Sequence, residues 1–254
     1  MRTQVFPTQA QMGRAAARRA SELLKDAIER RGQATFVAAT GTSQFEFLGA
    51  LVTDLSVAWS KTTMFHLDEY IGLPERHPAS FRRYLHDRLI DRVRPGTVHL
   101  VDGEAPNAQL ECDRLNQLIA NLEVDVAFVG IGENGHLAFN DPPADFETEA
   151  PYLIVELDEA CRQQQLAEGW FGSLAEVPLR AISMSVKQIM KSRAIICTVP
   201  GRRKAQAVYD CFTGDVTPLH PASILRCHGH AEVFLDADAA SILQQANLLP
   251  LWAP

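Results

Sequence analysis

Apolar residues in this chain fall in two alternating patterns. Short unbroken runs predict buried strands, and longer stretches with apolar positions every three or four residues predict helices. The first helix spans 8–31, with Thr8 placed to cap it and Leu23, Leu24, Ala27 and Ile28 continuing its apolar face. A strand over 34–39 ends in Thr40-Gly41-Thr42-Ser43 and is followed by a helix over 44–56. A strand over 62–67 opens into Asp68-Glu69-Tyr70; a helix over 79–93, capped near Ser80, comes next. The remaining strands are expected at 98–101, 125–131, 152–157, 181–186, 194–199 and 230–235. Further helices are expected at 107–121, 202–212 and 237–246.

Strand–helix alternation means parallel strands joined by right-handed crossovers, with helices on both sheet faces. The chain is therefore expected to be an α/β protein with a Rossmann-like, mostly parallel central sheet. No repeat, low-complexity tract or linker divides it, so 1–254 is expected to form a single domain. Residues 141–151 are the one long polar insertion, read equally as a lid or as an ordinary surface loop.

Charge and composition narrow the function. A net charge of −7 without a basic cluster argues against nucleic acid. No apolar run reaches the roughly 20 residues needed to cross a bilayer, so no membrane partner is expected. Arg2 is not followed by the apolar core of a secretory signal. The five cysteines include no Cys-x-x-Cys pair and read as reduced thiols of a cytoplasmic protein.

Candidate chemistry sits where strands end. After the apolar run from Asp125 to Val129, glycines at 130, 132 and 135 allow tight turns and close approach to a ligand. His136 follows at once, with Asn134 and Asp141 nearby. A histidine at the carboxyl edge of a parallel sheet can move protons near neutral pH, and a carboxylate on one ring nitrogen fixes its tautomer. Of the neighbours Asp68 and Glu69, only one can face a cleft if the strand continues. That one is a candidate general base, and the other is placed to pair with or position it. Thr40, Gly41, Thr42 and Ser43 offer N–H groups and hydroxyls to an anion, but they form neither a Walker A loop nor a full dinucleotide fingerprint. Lys204, at the start of a helix, is a candidate phosphate cation. His66-x-Asp68 and His228-Gly-His230 have no ligand set around them, so no metal is expected in the chemistry.

Three stretches together resemble the glucosamine-6-phosphate deaminase family, also called glucosamine-6-phosphate isomerase. They are Phe65 to Pro74 with His77-Pro-Ala-Ser80, Gly130 to Pro142, and Gly201-Arg-Arg-Lys-Ala205. The sister family, 6-phosphogluconolactonase, shares the fold and a Gly-His loop. It typically has Asp-Glu-Arg in place of Asp68-Glu69-Tyr70, and lacks the continuation from Phe139 to Pro142.

The resemblance implies a deaminase/phosphosugar isomerase-like fold, no cofactor, a small sugar phosphate as partner, and possible homo-oligomers. It implies that an amino-sugar 6-phosphate and water become fructose 6-phosphate and ammonia. Asp68 would carry the proton between C2 and C1, His136 would assist ring opening, and Asp141, with Asn134, would orient it. Thr40, Gly41, Thr42, Ser43 and Lys204 would hold the phosphate.

The chain also departs from the family's pattern. Asn134 stands where aspartate is common. Asp141 replaces a usual glutamate and must approach His136 more closely. Thr42 and Gln44 replace a glycine and a proline. A phosphate-binding arginine of the family falls at or near Gln165, with Arg162 about one turn away as a substitute. Pro151, Tyr152 and Leu153 fall where allosterically regulated members carry basic residues, so activation by an N-acetylated sugar phosphate is not expected. A lactonase of the sister family and a non-catalytic sugar-phosphate sensor are the competing readings.

Overall fold

Among residues 1–248, which the computed structural model describes, the apolar runs become ten strands. Residues 249–254, the end of the expected single domain, lie outside the described residues. The strands are β1 Arg2–Phe6, β2 Ala34–Ala38, β3 Thr62–His66, β4 Asp68–Tyr70, β5 Thr97–His99, β6 Val126–Val129, β7 Tyr152–Glu156, β8 Arg180–Met184, β9 Ala194–Val199 and β10 Ala231–Asp236.

Seven of them form one sheet in the order β1-β10-β9-β6-β2-β3-β5, every pair parallel. Successive residues of its central strands point to opposite faces, and both faces are buried. Phe36, Ala38, Val126 and Phe128 join the layer with Met12, Leu24, Leu48 and Leu89. Val37, Ala127 and Val129 join the other, with Leu115, Ile119 and Val208. The helix Gln9–Arg31 covers the first face, and Ala108–Ile119 and Ala205–Thr213 cover the second. Burying each large side chain contributes roughly 1.5–3 kcal/mol. The expected fold class is the one observed.

The cap expected at Thr8 forms, its hydroxyl accepting from Gln11 N at 3.2 Å. The helix expected over 79–93 has a π-helical middle, His86–Ile90, between Phe81–Leu85 and Asp91–Val93. The helix expected over 44–56 closes at Leu51.

Two features differ from expectation. A strand precedes the first helix: β1 adds a parallel edge to β10. β7 and β8 do not join the parallel sheet. They pair antiparallel with β4 in a separate sheet of order β4-β8-β7. Leu67 joins the two sheets, because its N–H donates to Ala38 O (3.1 Å) while its carbonyl accepts from Met184 N (2.9 Å). Asp68 therefore lies where the chain leaves one sheet and enters the other.

Candidate active site

Four parallel strands deliver residues to one cleft at their carboxyl ends. β2 supplies the loop Thr40–Ser43, β3 leads to Asp68, β6 leads to Gly130, Gly132 and His136, and β9 leads to Lys204. The pocket thus gathers four segments distant in sequence.

The loop after β2 turns at Gly41, whose φ of +91° favours glycine, and enters a 3₁₀ turn over Thr42–Gln44. Gln44 anchors it from beneath. Its Nε2 donates to Val129 O (3.3 Å) and to Thr198 Oγ1 (3.0 Å), tying the loop to two neighbouring strand ends. Tyr84 Oη donates to Gly41 O at 2.9 Å and holds the turn from the side of the helix Phe81–Leu85. The chain after β9 repeats this design: Gly201 has φ +89° and is followed by a 3₁₀ turn over Arg202–Lys204. That turn brings Lys204, only 8% exposed, to the same cleft. Burial lowers its pKa, partly countered by Glu168 and Glu133.

Asp68 and Glu69 separate as alternation requires. Asp68 lines the cleft and has no hydrogen-bond partner on its carboxylate among the described residues. Burial, and then the Glu69 charge, push its pKa up to about 8. Glu69 is wholly buried on the other side. Its carboxylate accepts from Tyr70 N (3.0 Å), Ser80 Oγ (2.9 Å), Phe81 N (3.2 Å) and Arg82 N (2.8 Å). Burial raises its pKa, and those donors offset part of the rise. The acid pair is one free carboxylate on the cleft and one helix-capping carboxylate behind it.

His136 lines the cleft with its Nδ1 turned inward, 2.9 Å from Asp141 Oδ1. Asn134 braces both residues: its Oδ1 accepts from His136 N (3.0 Å) and its Nδ2 donates to Asp141 Oδ1 (3.1 Å). Burial raises the Asp141 pKa, but the contacts from His136, Asn134 and Asp158 N outweigh it and hold this carboxylate low. An ionised Asp141 can only accept, so Nδ1 carries a ring proton, and in the neutral imidazole the lone pair sits on Nε2. Asn134 and Asp141 do not line the cleft themselves.

Arg162 is a correction. It does not line the cleft, and its guanidinium donates to Leu174 O (2.6 Å) and Val177 O (3.2 Å). These two carbonyls of the turn Leu174–Val177 hold the guanidinium away from the cleft. The neighbouring Gln165 is 6% exposed and lines the cleft instead, its Oε1 accepting from Tyr70 Oη at 2.8 Å. With Oε1 engaged, its amide N–H groups remain for a ligand. Glu168 lines the same end. The sequence placed the family's phosphate arginine at or near Gln165 without giving Gln165 itself a role, and it missed Glu168 and the helix Glu159–Ala167 before it, although Asp158 after an apolar strand is an N-cap signal.

The insertion at 141–151 behaves as a surface loop and none of it lines the cleft. Glu149 pairs with Lys187 (2.6 Å) and Lys191 (3.2 Å), which hold it against another face.

Comparison with known proteins places this geometry. Residues 7–234 match the sequence profile of the family described as glucosamine-6-phosphate isomerases/6-phosphogluconolactonase. A glucosamine-6-phosphate deaminase of Exiguobacterium sp. is 37% identical over 226 residues, covering 89% of this chain and 87% of the relative. One from Streptococcus pneumoniae is 34% identical over 226 residues, covering 89% and 94%. The structure of a monomeric glucosamine-6-phosphate deaminase superposes with a TM-score of 0.87 at 29% identity, over 95% of this chain and 100% of that one. A 6-phosphogluconolactonase from Shewanella baltica gives a TM-score of 0.77 at 20% identity, over 93% and 98%, a likeness of fold.

Proposed function

The chain belongs to the glucosamine-6-phosphate isomerase/6-phosphogluconolactonase family, and we propose that it converts an amino-sugar 6-phosphate, foremost glucosamine 6-phosphate, and water to fructose 6-phosphate and ammonia. The observation that carries this reading is the shared cleft. A free carboxylate, an oriented imidazole and an anion loop with a buried lysine face one space.

The phosphate lies at the Thr40–Ser43 loop, where backbone N–H groups and hydroxyls meet its oxygens, with Lys204 as cation and the Gln165 amide as neutral donor. This fixes the far end of the sugar and sets C1 and C2 between Asp68 and His136. The lone pair on His136 Nε2 takes the proton of the C1 hydroxyl and returns it to the ring oxygen, which opens the ring. The imidazolium formed in between is stabilised by Asp141 through Nδ1. Asp68 then removes the C2 proton while the aldehyde oxygen gains one from solvent, giving an enolamine; Asp68 delivers its proton to C1 and the nitrogen returns one to solvent. The resulting C2 imine takes up water and releases ammonia, leaving the ketone of fructose 6-phosphate. Each general acid–base step of this kind contributes about 10²–10⁴-fold. A carboxyl with a pKa near 8 is a stronger base, once ionised, than an ordinary carboxylate.

The five free cysteines, four of them buried, support a cytoplasmic setting. No helix among the described residues is long and apolar enough to cross a membrane.

The test is to incubate the purified chain with glucosamine 6-phosphate and galactosamine 6-phosphate and measure both products. Equal release of ammonia and ketose phosphate supports the reading. Hydrolysis of 6-phosphogluconolactone without ammonia release moves the chain to the sister activity. Tight sugar-phosphate binding with neither reaction makes it a sensor.

A further inference from the structure

Behind the His136–Asp141 pair lies a third side chain that the proposed reaction does not use. Cys161 is 1% exposed, on the first turn of the helix Glu159–Ala167. Its Sγ, the Nδ1 or Nε2 of His136 and a carboxylate oxygen of Asp141 all lie within 4.8 Å of one another. The loop geometry that builds the catalytic dyad also fixes this trio. Asp158 Oδ1 accepts from Cys161 N at 2.5 Å, Asp158 N donates to Asp141 Oδ2 at 3.1 Å, and Asn134 joins Asp141 to Asp158. The three donor groups are therefore braced by one hydrogen-bonded frame.

We propose that His136, Asp141 and Cys161 form an inhibitory site for a thiophilic divalent cation such as zinc or cadmium, with solvent as fourth ligand. One imidazole, one carboxylate and one thiolate are the ligand types that such ions select over magnesium or calcium. Tetrahedral bonds of the usual lengths place the ligand atoms about 3.3–3.8 Å apart. The trio lies within 4.8 Å, so small side-chain shifts bring it to that spacing, and the 2.9 Å His136–Asp141 contact has only to open by a few tenths of an ångström.

Binding is balanced in protons. The Cys161 thiol releases one proton to solvent, and the neutral imidazole shifts its proton from Nδ1 to Nε2 as the metal takes Nδ1. The metal is bound by the thiolate, the Nδ1 lone pair and the carboxylate, and no bond in a substrate is involved. An occupied site leaves His136 with a hydrogen, and no lone pair, on Nε2. Inhibition follows from that change and rests on the role given to His136 above. The metal site itself does not.

Cadmium provides the probe, because cadmium–thiolate bonds give an ultraviolet charge-transfer band without any turnover. The expected result is a band that saturates at one equivalent per chain, persists in Cys227→Ser and is lost in Cys161→Ser, with affinity falling about 100-fold or more. His136→Gln, which keeps the thiol, is expected to weaken cadmium by at least about 10-fold and serves if Cys161→Ser fails to fold. A band retained in Cys161→Ser, or no band in the unaltered chain, overturns the site and leaves Cys161 a packing residue. A Cys161-dependent band without loss of deaminase activity keeps the metal site but overturns its inhibitory action, and with it the proton-transfer role of His136.

Discussion

Gly132 lies against the face of the His136 ring, so closely that a Cβ at position 132 would stand 2.4 Å from Cδ2, Cε1 and Nε2. Here glycine is required for approach rather than for turning. Gly132→Ala is expected to push the imidazole off Asp141 and to lower kcat/KM by about 10²-fold or more, since small displacements of a reacting group carry penalties of that size. Steady-state kinetics with glucosamine 6-phosphate checks this. Near-normal turnover would mean that the ring has room to move.

Asp68 titrates against burial, with consequences for both rate and stability. Its carboxylate must be ionised to act as base, so kcat/KM is expected to climb with pH through about 8 and level off above it. Asp68→Asn is expected to cost about 10³-fold in kcat and to abolish solvent exchange of the C2 proton while sugar-phosphate binding persists. The stability effect has a definite sign. The folded pKa, about 8, lies above the ordinary aspartate value of 3.8, so the folded state binds this proton more tightly. That stabilisation is complete below about pH 4 and is lost as pH rises through about 8. Denaturant midpoints should show Asp68→Asn gaining on the unaltered chain as pH rises across this window. Parallel midpoints would remove Asp68 as the cause.

Glu69, one residue on, predicts the opposite phenotype. Removing its carboxylate in Glu69→Ala strands the N–H groups of Tyr70, Phe81 and Arg82 and the Ser80 hydroxyl in the interior. It also takes away a buried carboxylate 3.5 Å from Arg82 Nε. A loss of about 3 kcal/mol or more is expected, lowering Tm by roughly 10 °C. Calorimetry on the two single variants distinguishes a chemical acid from a structural one.

Lys204→Met tests the anion end. Removing a buried cation that points into the cleft is expected to raise KM by about 10²-fold while kcat changes only a few-fold, and to abolish inhibition by inorganic phosphate. Because desolvation already disfavours this ammonium, the variant is not expected to lose stability. A fall in kcat alone would place Lys204 at the reacting carbons.

The parallel sheet was legible because its central strands are buried on both faces and read as unbroken apolar runs, such as Phe36 to Ala38 and Ala194 to Val199. β1 was not legible. As an edge strand it buries only Val5, and Arg2, Thr3 and Gln4 carry no strand signal. β7 and β8 were legible as strands but not in their pairing, because periodicity fixes which residues are inward and not which neighbour they meet. At the site, Asp68, His136 and the Thr40–Ser43 loop stood out because they end strands. Charge misdirected the choice at the next helix. Arg162 looked like the anion ligand, yet its long side chain reaches backbone carbonyls at 174 and 177, and the uncharged Gln165 takes the cleft. Asp141, one methylene shorter than the family's usual glutamate, closes on His136 to 2.9 Å as its length demands.

Asp68, His136, the Thr40–Ser43 loop and Lys204 all follow strand termini, while both packed layers lie below. The rim can therefore accept new residues without disturbing the interior that keeps the protein folded. Such a division of labour lets one scaffold be re-tooled: exchanging a handful of terminal side chains redirects the chemistry, and the foundation carries on unchanged. The 6-phosphogluconolactonase from Shewanella baltica shares this architecture at only 20% identity.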